Sequence, residues 1–394
     1  MTSLFCSLVW TLATANATLG ISSLPENPVE IPVCFQGALP GAPSGQGLQG
    51  TLILDGRSIP IPIQTSPSHP DTYYFLLPPQ AVPPEGTIEL PCRLADSAPP
   101  VFEFTEREDT FLDLRENGLP VLVYNFGMVT REGVPEDRFR SSYVHPLYGM
   151  EGEILTDDFP ADHHHHRGLF WAWPGLEVNG KPVDLWHMRG IRHRFEKWLY
   201  RETGAVCALL GVQNGWYMGD TKAAEEQVEF TVYRAGRIGR VIDVGIRIRA
   251  IAPSLVLAGQ ADKSKGYGGL NFRLAPGADR KITSVEGLLT KDSDQVPMPW
   301  VDYSQKYNQR DGYSGASIFV SPGHPNFPPG WTIRYYGIFG VAWPGTHTVH
   351  LTPDHPSPIE LRYRLWIHKG NGDEGRVREA LEVFLNTKIV QPQK

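Results

Sequence analysis

The chain has 394 residues, of which 43 are acidic and 36 basic, giving a formal net charge of −7. That length exceeds one ordinary core and points to two domains. The acidic balance, with Arg and Lys scattered singly, excludes a nucleic-acid-binding surface, and past the leader no run approaches the roughly 18 apolar residues of a membrane span.

Forty glycines and 35 prolines make the chain turn-rich, which favours many short strands over long helices. Residues 4–17 form an apolar run ending in Ala15-Asn-Ala17, the pattern of a signal peptide over residues 1–20, although no basic residues precede it. The predicted location is therefore secreted or periplasmic. Cys6, Cys34, Cys92 and Cys207 do not make a disulfide framework. Export would allow a Cys34–Cys92 bridge, and Cys207, inside an apolar run, reads as a core thiol.

Residues 24–104 read as a small β-sandwich domain. Gly50-Thr-Leu-Ile-Leu-Asp-Gly56 is a strand entering an Asp-Gly turn, and Pro-rich turns separate further short strands. Residues 105–394 read as a large β-domain. Leu119 to Phe126 is a buried strand. Glu226–Arg234 and Arg240–Ala250 alternate about a glycine turn and form a hairpin. In Ile359–His368, Ile359, Leu361, Tyr363, Leu365 and Ile367 share one face. Glu360, Arg362, Arg364, Trp366 and His368 share the other, a possible floor for a ligand cleft. One helix is expected over 373–385, with a stripe of Val377, Ala380, Leu381 and Phe384. Gly168-Leu-Phe-Trp-Ala-Trp-Pro-Gly175 is echoed by Gly337-Ile-Phe-Gly-Val-Ala-Trp-Pro-Gly345.

Ionisable and aromatic groups are densest in Leu155-Thr-Asp-Asp-Phe-Pro-Ala-Asp-His-His-His-His-Arg-Gly-Leu-Phe-Trp-Ala-Trp173. In an extended segment His163 and His165 point opposite to His164 and His166, whereas in a turn three of the four converge. Imidazoles beside Asp157, Asp158 or Asp162 suit either a divalent metal or an acid/base pair with a carboxylate fixing the tautomer. A solvated His-rich loop is the bland alternative. His145 and Tyr148 lie just before this segment. Lys265-Gly-Tyr-Gly-Gly-Leu-Asn-Phe-Arg273 precedes a strand, not a helix, so it reads as close backbone approach or a bulge that presents Tyr267. The Pro-rich loop Ser321–Trp331 carries His324, Asn326 and Trp331. There is no nucleophile elbow and no zincin motif.

The central segment resembles a bacterial family labelled "methane oxygenase PmoA". Lys265-Gly-Tyr-Gly-Gly-Leu270, His324-Pro-Asn-Phe-Pro-Pro-Gly-Trp331 and Leu361-Arg-Tyr-Arg-Leu365 resemble it too. The family pattern D-H-P-H-H-R-G maps onto Asp162 to Gly168 with His164 where proline is usual, so His163, His165 and His166 carry over and His164 does not. The resemblance implies a galactose mutarotase-like supersandwich, exported and carbohydrate-related. A methane oxygenase subunit would need spanning helices that are absent from this sequence.

The reading is a secreted carbohydrate-active enzyme, lyase, hydrolase or epimerase-like, acting on a glycoside or oxidised sugar. His163, His165 and His166 act as acid/base groups or metal ligands, Asp158 and Asp162 orient them, and Arg167 binds an anionic group. His145, Tyr148, Tyr267, His324, Asn326, Trp331 and His368 contact a monosaccharide or oligosaccharide. The alternatives are a non-catalytic glycan-binding protein and a metal-dependent oxidoreductase.

Overall fold

In the computed structural model, residues 15–21, 29–36, 48–54, 57–79, 86–94, 98–260, 265–307, 311–355 and 357–386 are described. The chain divides into two compact units, Met1–Pro99 with Asn386–Lys394, and Pro100–Leu385. Residues 1–14, which hold most of the apolar leader and Cys6, lie outside the described residues, as does the side chain of Cys92.

The first unit is a six-stranded antiparallel sheet ordered Ala15–Ile21, Gly86–Leu94, Leu48–Leu54, Arg57–Thr65, Thr72–Leu77, Ile31–Gln36. The apolar residues Ile31, Val33, Phe35, Ile61 and Ile63 are buried at alternate positions, as the period of two requires. Cys34 and Cys92 fall on strands that are not neighbours in this sheet.

The second unit is mainly β, with two nine-stranded antiparallel sheets. The first is ordered Ser293–Asp294, Gly330–Arg334, Ile338–Ala342, Gly269–Arg273, Leu169–Ala172, Tyr143–Leu147, Leu119–Asn125, Phe111–Glu116, Phe102–Arg107. The second is ordered Arg192–Thr203, Cys207–Met218, Thr221–Tyr233, Gly239–Ala250, Ile359–Lys369, Tyr313–Val320, Trp300–Tyr307, Gly277–Ser284, Gly287–Leu289. They pack face to face as a large β-sandwich. Across the core, the rings of Trp171 and Phe230 lie 6.3 Å apart and those of Phe339 and Tyr303 5.5 Å. A four-stranded sheet (Lys181–Val183, Gly175–Val178, Leu255–Ala258, Thr348–Leu351) flanks them.

The hairpin is present with Ile242, Val244, Ile246 and Ile248 buried. The one α-helix among the described residues is Val377–Asn386; its buried stripe is Val377, Ala380 and Val383, so Val383 is buried where Leu381 and Phe384 were expected and these two are half-buried. No described helix is long and apolar enough to cross a membrane. The echo also has a structural meaning. Leu169–Ala172 and Ile338–Ala342 pair with opposite edges of Gly269–Arg273, so the two similar strands run parallel to each other about a shared centre. At their ends Trp173 Nε1 donates to the Trp343 carbonyl at 2.8 Å.

Two glycines show how tightly this centre is built. A Cβ on Gly168 would sit 2.0 Å from the Val144 carbonyl oxygen. One on Gly269, where φ is +107°, would sit 2.5 Å from that of Val341. Only glycine lets the backbones approach there. The glycine-rich stretch thus serves strand packing and leaves Tyr267 projecting.

Candidate functional site

The histidine segment enters from strand Tyr143–Leu147 and leaves into Leu169–Ala172. Asp158 and Arg167 form an isolated bridge that closes a loop over 159–166. Inside it, His163 N donates to Pro160 O and His166 N to His163 O, giving two successive turns. Turn geometry gathers the rings. His163 and His166 stack in parallel at 4.6 Å (2°), and His165 lies edge-on to both at 5.6 and 4.6 Å.

These three imidazoles line a cavity of about 220 Å3. A fourth, His187, joins them with its ring 4.3 Å from that of His165. Trp186, Tyr267 and Tyr336 supply aromatic wall, and Trp186 and Tyr267 rings lie 4.8 Å apart. Gln260, Lys265, Thr332 and Arg334 supply the polar remainder. No aspartate or glutamate is among the described residues that line it.

Two carboxylates stand immediately behind the imidazoles. Asp184 Oδ2 lies 2.7 Å from His187 Nδ1, and Asp184 Oδ1 accepts the His187 backbone N–H at 2.8 Å. That pairing puts the Nδ1 proton on the carboxylate side and leaves Nε2 to exchange protons. Asp162 Oδ2 lies 2.9 Å from His163 Nδ1, while Asp162 Oδ1 accepts from Arg273 at 2.8 Å. Burial pushes the Asp162 carboxyl up, but His163 and Arg273 outweigh it and hold it below the usual range. His165 behaves differently. Burial first, then His187 and Arg140 nearby, push it down to about 2, so it is neutral at physiological pH. His166 is likewise held well below its ordinary value, by burial and then His165 and His163.

The expected metal ligands do not assemble into a metal-binding group among the described residues. The physical reason is visible in the stack: imidazole lone pairs lie in the ring plane, and the planes of His163 and His166 are parallel, so one ion cannot lie in both.

The other predicted site residues divide clearly. Tyr267 lines the cavity. Arg167 does not: it is fully buried, lies 3.4 Å from Asp158, and donates to the carbonyls of His164, His166 and Arg138. Its role is to hold the loop closed. Asp158 also accepts from Tyr143 Oη at 3.0 Å, and burial, partly offset by Arg167 and Tyr143, raises it to about 6. His145 is turned to Thr156 (Nδ1 to Oγ1, 3.0 Å), and Tyr148 bridges Ile154, so neither reaches the cavity. His324 is buried against Tyr363 at 3.0 Å, Trp331 is core with Nε1 donating to Met298 O, and Asn326 is an exposed left-handed turn residue. His368 is fully buried 2.9 Å from Asp302, in the other nine-stranded sheet. Trp366 beside it donates to Gly375 O. The segment after strand Ile359–Lys369 covers the Trp366 and His368 end of its outer face, whereas Arg362 on the same face lines a separate cavity of about 200 Å3 with Glu229, Thr231 and Asp243.

Sequence reasoning notes His187 only as a hydrogen-bonded core or rim group, and it misses Asp184, Trp186 and Tyr336. The one available signal was the Asp184-Leu-Trp-His187 spacing, which places a carboxylate and an imidazole on one turn.

Buried neutral imidazoles make stability depend on pH. His145 and His324 are both pushed down to about 4, chiefly by burial, and His165 to about 2. Below about pH 6.5 the unfolded chain takes up these protons and the folded chain does not, so stability falls with pH. Each such histidine contributes about 1.4 kcal/mol per pH unit until its folded value is reached. Asp158 acts oppositely between about pH 6 and 4, because its folded form holds the extra proton. With His166 adding to the loss and Asp157 opposing it as Asp158 does, we expect a net loss of stability from pH 6 to 4. Urea unfolding across that range measures it, and a flat or rising stability contradicts it.

No curated protein matches the chain. Among solved structures it is similar to 4-alpha-glucanotransferase from Thermococcus litoralis at 12% identity with a TM-score of 0.22, over 70% of this chain and 40% of that one. The family model whose description is "Family of unknown function (DUF6807)" matches residues 112–382, spanning the sandwich and every residue of the cavity, and the chain belongs to that family.

Proposed function

We propose that the 100–385 unit is a carbohydrate-active enzyme that moves a proton to or from carbon, in a lyase or epimerase reaction. The observation that carries this is the pair of carboxylate-backed imidazoles, Asp184–His187 and Asp162–His163, at one small cavity whose described wall holds no carboxylate. Two wall carboxylates would be the signature of glycoside hydrolysis. Two imidazoles at one cavity, His187 oriented by its hydrogen bond to Asp184 and His163 beside Asp162, instead suit removal of a proton on one side and its return on the other. His187 Nε2 takes the proton as the C–H bond breaks, and the electron pair moves into an adjacent carbonyl group. Asp184 stabilises the imidazolium formed. Neutral His165 and the Tyr267 hydroxyl, kept protonated by a value pushed up to about 12 through burial, donate hydrogen bonds to the developing oxyanion. Export is part of this reading and is carried by the apolar leader of the sequence alone.

Incubation in deuterium oxide with a panel of keto-sugars, uronic acids and glycosides tests the proposal. Proton NMR is expected to show loss of one ring C–H signal, or its replacement by an unsaturated or inverted product. A full panel with neither exchange nor product sinks the enzymatic reading. A second reading, glycan binding without turnover, has its own observation. Tyr336 is 41% exposed and its ring is parallel to that of His163 at 5.2 Å, the kind of flat platform on which a sugar face packs.

A further inference from the structure

The cavity wall is one-sided in charge. Its described lining has two permanent cations, Lys265 and Arg334, and no anion. Arg334 is already committed, donating to both oxygens of Asp294 at 2.7 and 2.9 Å, whereas Lys265 is exposed at the rim. The carboxylates nearest the cavity face other partners: Asp162 holds Arg273 and His163, Asp184 holds His187. Behind the wall the bias continues. Arg140 is buried, lends its Nη2 to the carbonyls of Leu185 and Trp186, and has no hydrogen-bond partner for Nε or Nη1. Arg273, also buried, has no hydrogen-bond partner for Nε or Nη1 but is ion-paired with Asp162 at 2.8 Å and with Asp157 at 3.9 Å. Both guanidinium groups touch residues of the cavity wall, Arg140 through the Trp186 carbonyl and Arg273 over the Tyr336 ring. Burying Arg140 with two nitrogens unpartnered, beside a hollow with no anion in its described wall, is costly, and an anionic occupant offsets that cost.

Size narrows the occupant further. A cavity of about 220 Å3 is smaller than the roughly 300–1,000 Å3 of drug-sized sites, and so admits one sugar ring and not an extended chain. We propose that the cavity receives a carboxylate-bearing monosaccharide unit, a uronate or similar sugar acid, with Lys265 as the counter-ion of its carboxylate. This rests on the reading of the cavity as a sugar site, and it names the substrate class. It also suits the chemistry, because a carboxylate beside the reacting carbon accepts the electron pair that proton removal releases. Neutral His165 fits the same picture, since burial and then the cations near it hold that imidazole uncharged.

Titration calorimetry with two probes, methyl β-D-glucuronide and methyl β-D-glucoside, separates the possibilities. The glucuronide is expected to bind at least about tenfold more tightly than the glucoside, the scale of one charge-assisted hydrogen bond. That preference should shrink as salt rises. In Lys265→Met the preference should disappear, and Lys265→Arg should keep most of it. Equal binding of the two probes, no binding of the glucuronide, or a preference untouched by Lys265→Met overturns the proposal. Selective glucuronide binding with no deuterium exchange would leave the sugar-acid site standing and remove the proton-transfer reading. Exchange on neutral sugars without preference for the acid would do the reverse.

Discussion

Under the proposed proton transfer, His187→Ala is expected to lower turnover by about 10²–10⁴-fold, the range for losing a positioned general base. The prediction follows from the ring's place in the wall 4.3 Å from His165 and from the carboxylate that orients it. Asp184→Asn should produce a smaller loss of the same kind. The amide nitrogen would donate to Nδ1 where the carboxylate accepted, favouring the wrong tautomer and leaving the imidazolium unsupported. The two defects should not add, because both act through one proton transfer. His187 is partly exposed, so circular dichroism and the unfolding midpoint should stay near those of the parent protein. Parent-level turnover in His187→Ala would show that this imidazole is not the base.

The second large effect lies in the core. Glu226 is fully buried and accepts from His193 Nε2 at 3.1 Å, Asn214 Nδ2 at 2.9 Å and Trp216 Nε1 at 2.9 Å. Asn214 in turn donates to Tyr124 Oη and accepts from Ser142 Oγ, both on the opposite side of the sandwich. The network pins one nine-stranded sheet to the other through a polar core. Burial alone would raise the Glu226 carboxyl, but His193 and the donors around it outweigh that and lower it. The ionised form is therefore the folded form, and its contribution is lost as pH falls through the lowered value. Glu226→Ala strands three donors and should cost about 3–5 kcal/mol of stability, as breaking one side of a buried charged pair does. Glu226→Gln keeps the shape and should cost less, about 1–3 kcal/mol. Urea denaturation reads both. A neutral Glu226→Ala would mean that water or a shifted side chain replaces the carboxylate.

Period-two alternation made the strands legible because each sandwich strand has one buried face. Ile242 to Ile248 and Leu361 to Ile367 announce their inward sides unaided. The same rule misleads at Trp366 and His368, whose face is outward by alternation yet covered by the following chain segment; alternation carries no information about what packs on top. Within the site, local sequence located His163, His165 and His166 but not their company. Arg167 looked like an anion binder because charge beside histidine suggests chemistry, yet its guanidinium is spent on backbone carbonyls inside the loop. His187, Tyr336 and Lys265 come from segments far apart in sequence, and only the sheet order brings them together. His324, Trp331 and His368 carry the same residue types into the core, where a ring nitrogen meets a fixed partner instead of a ligand.

The shared central strand Gly269–Arg273 has a consequence for the spacing of the site. Just ahead of its first residue, Tyr267 and Lys265 form one wall, and its last residue, Arg273, grips Asp162 and through it His163 on another. Backbone ladders clamp this rod on both edges. Five residues of laddered backbone therefore set how far the base of the Tyr267 wall stands from Arg273, and through Asp162 from His163, while the exposed Lys265 lies ahead of that ladder.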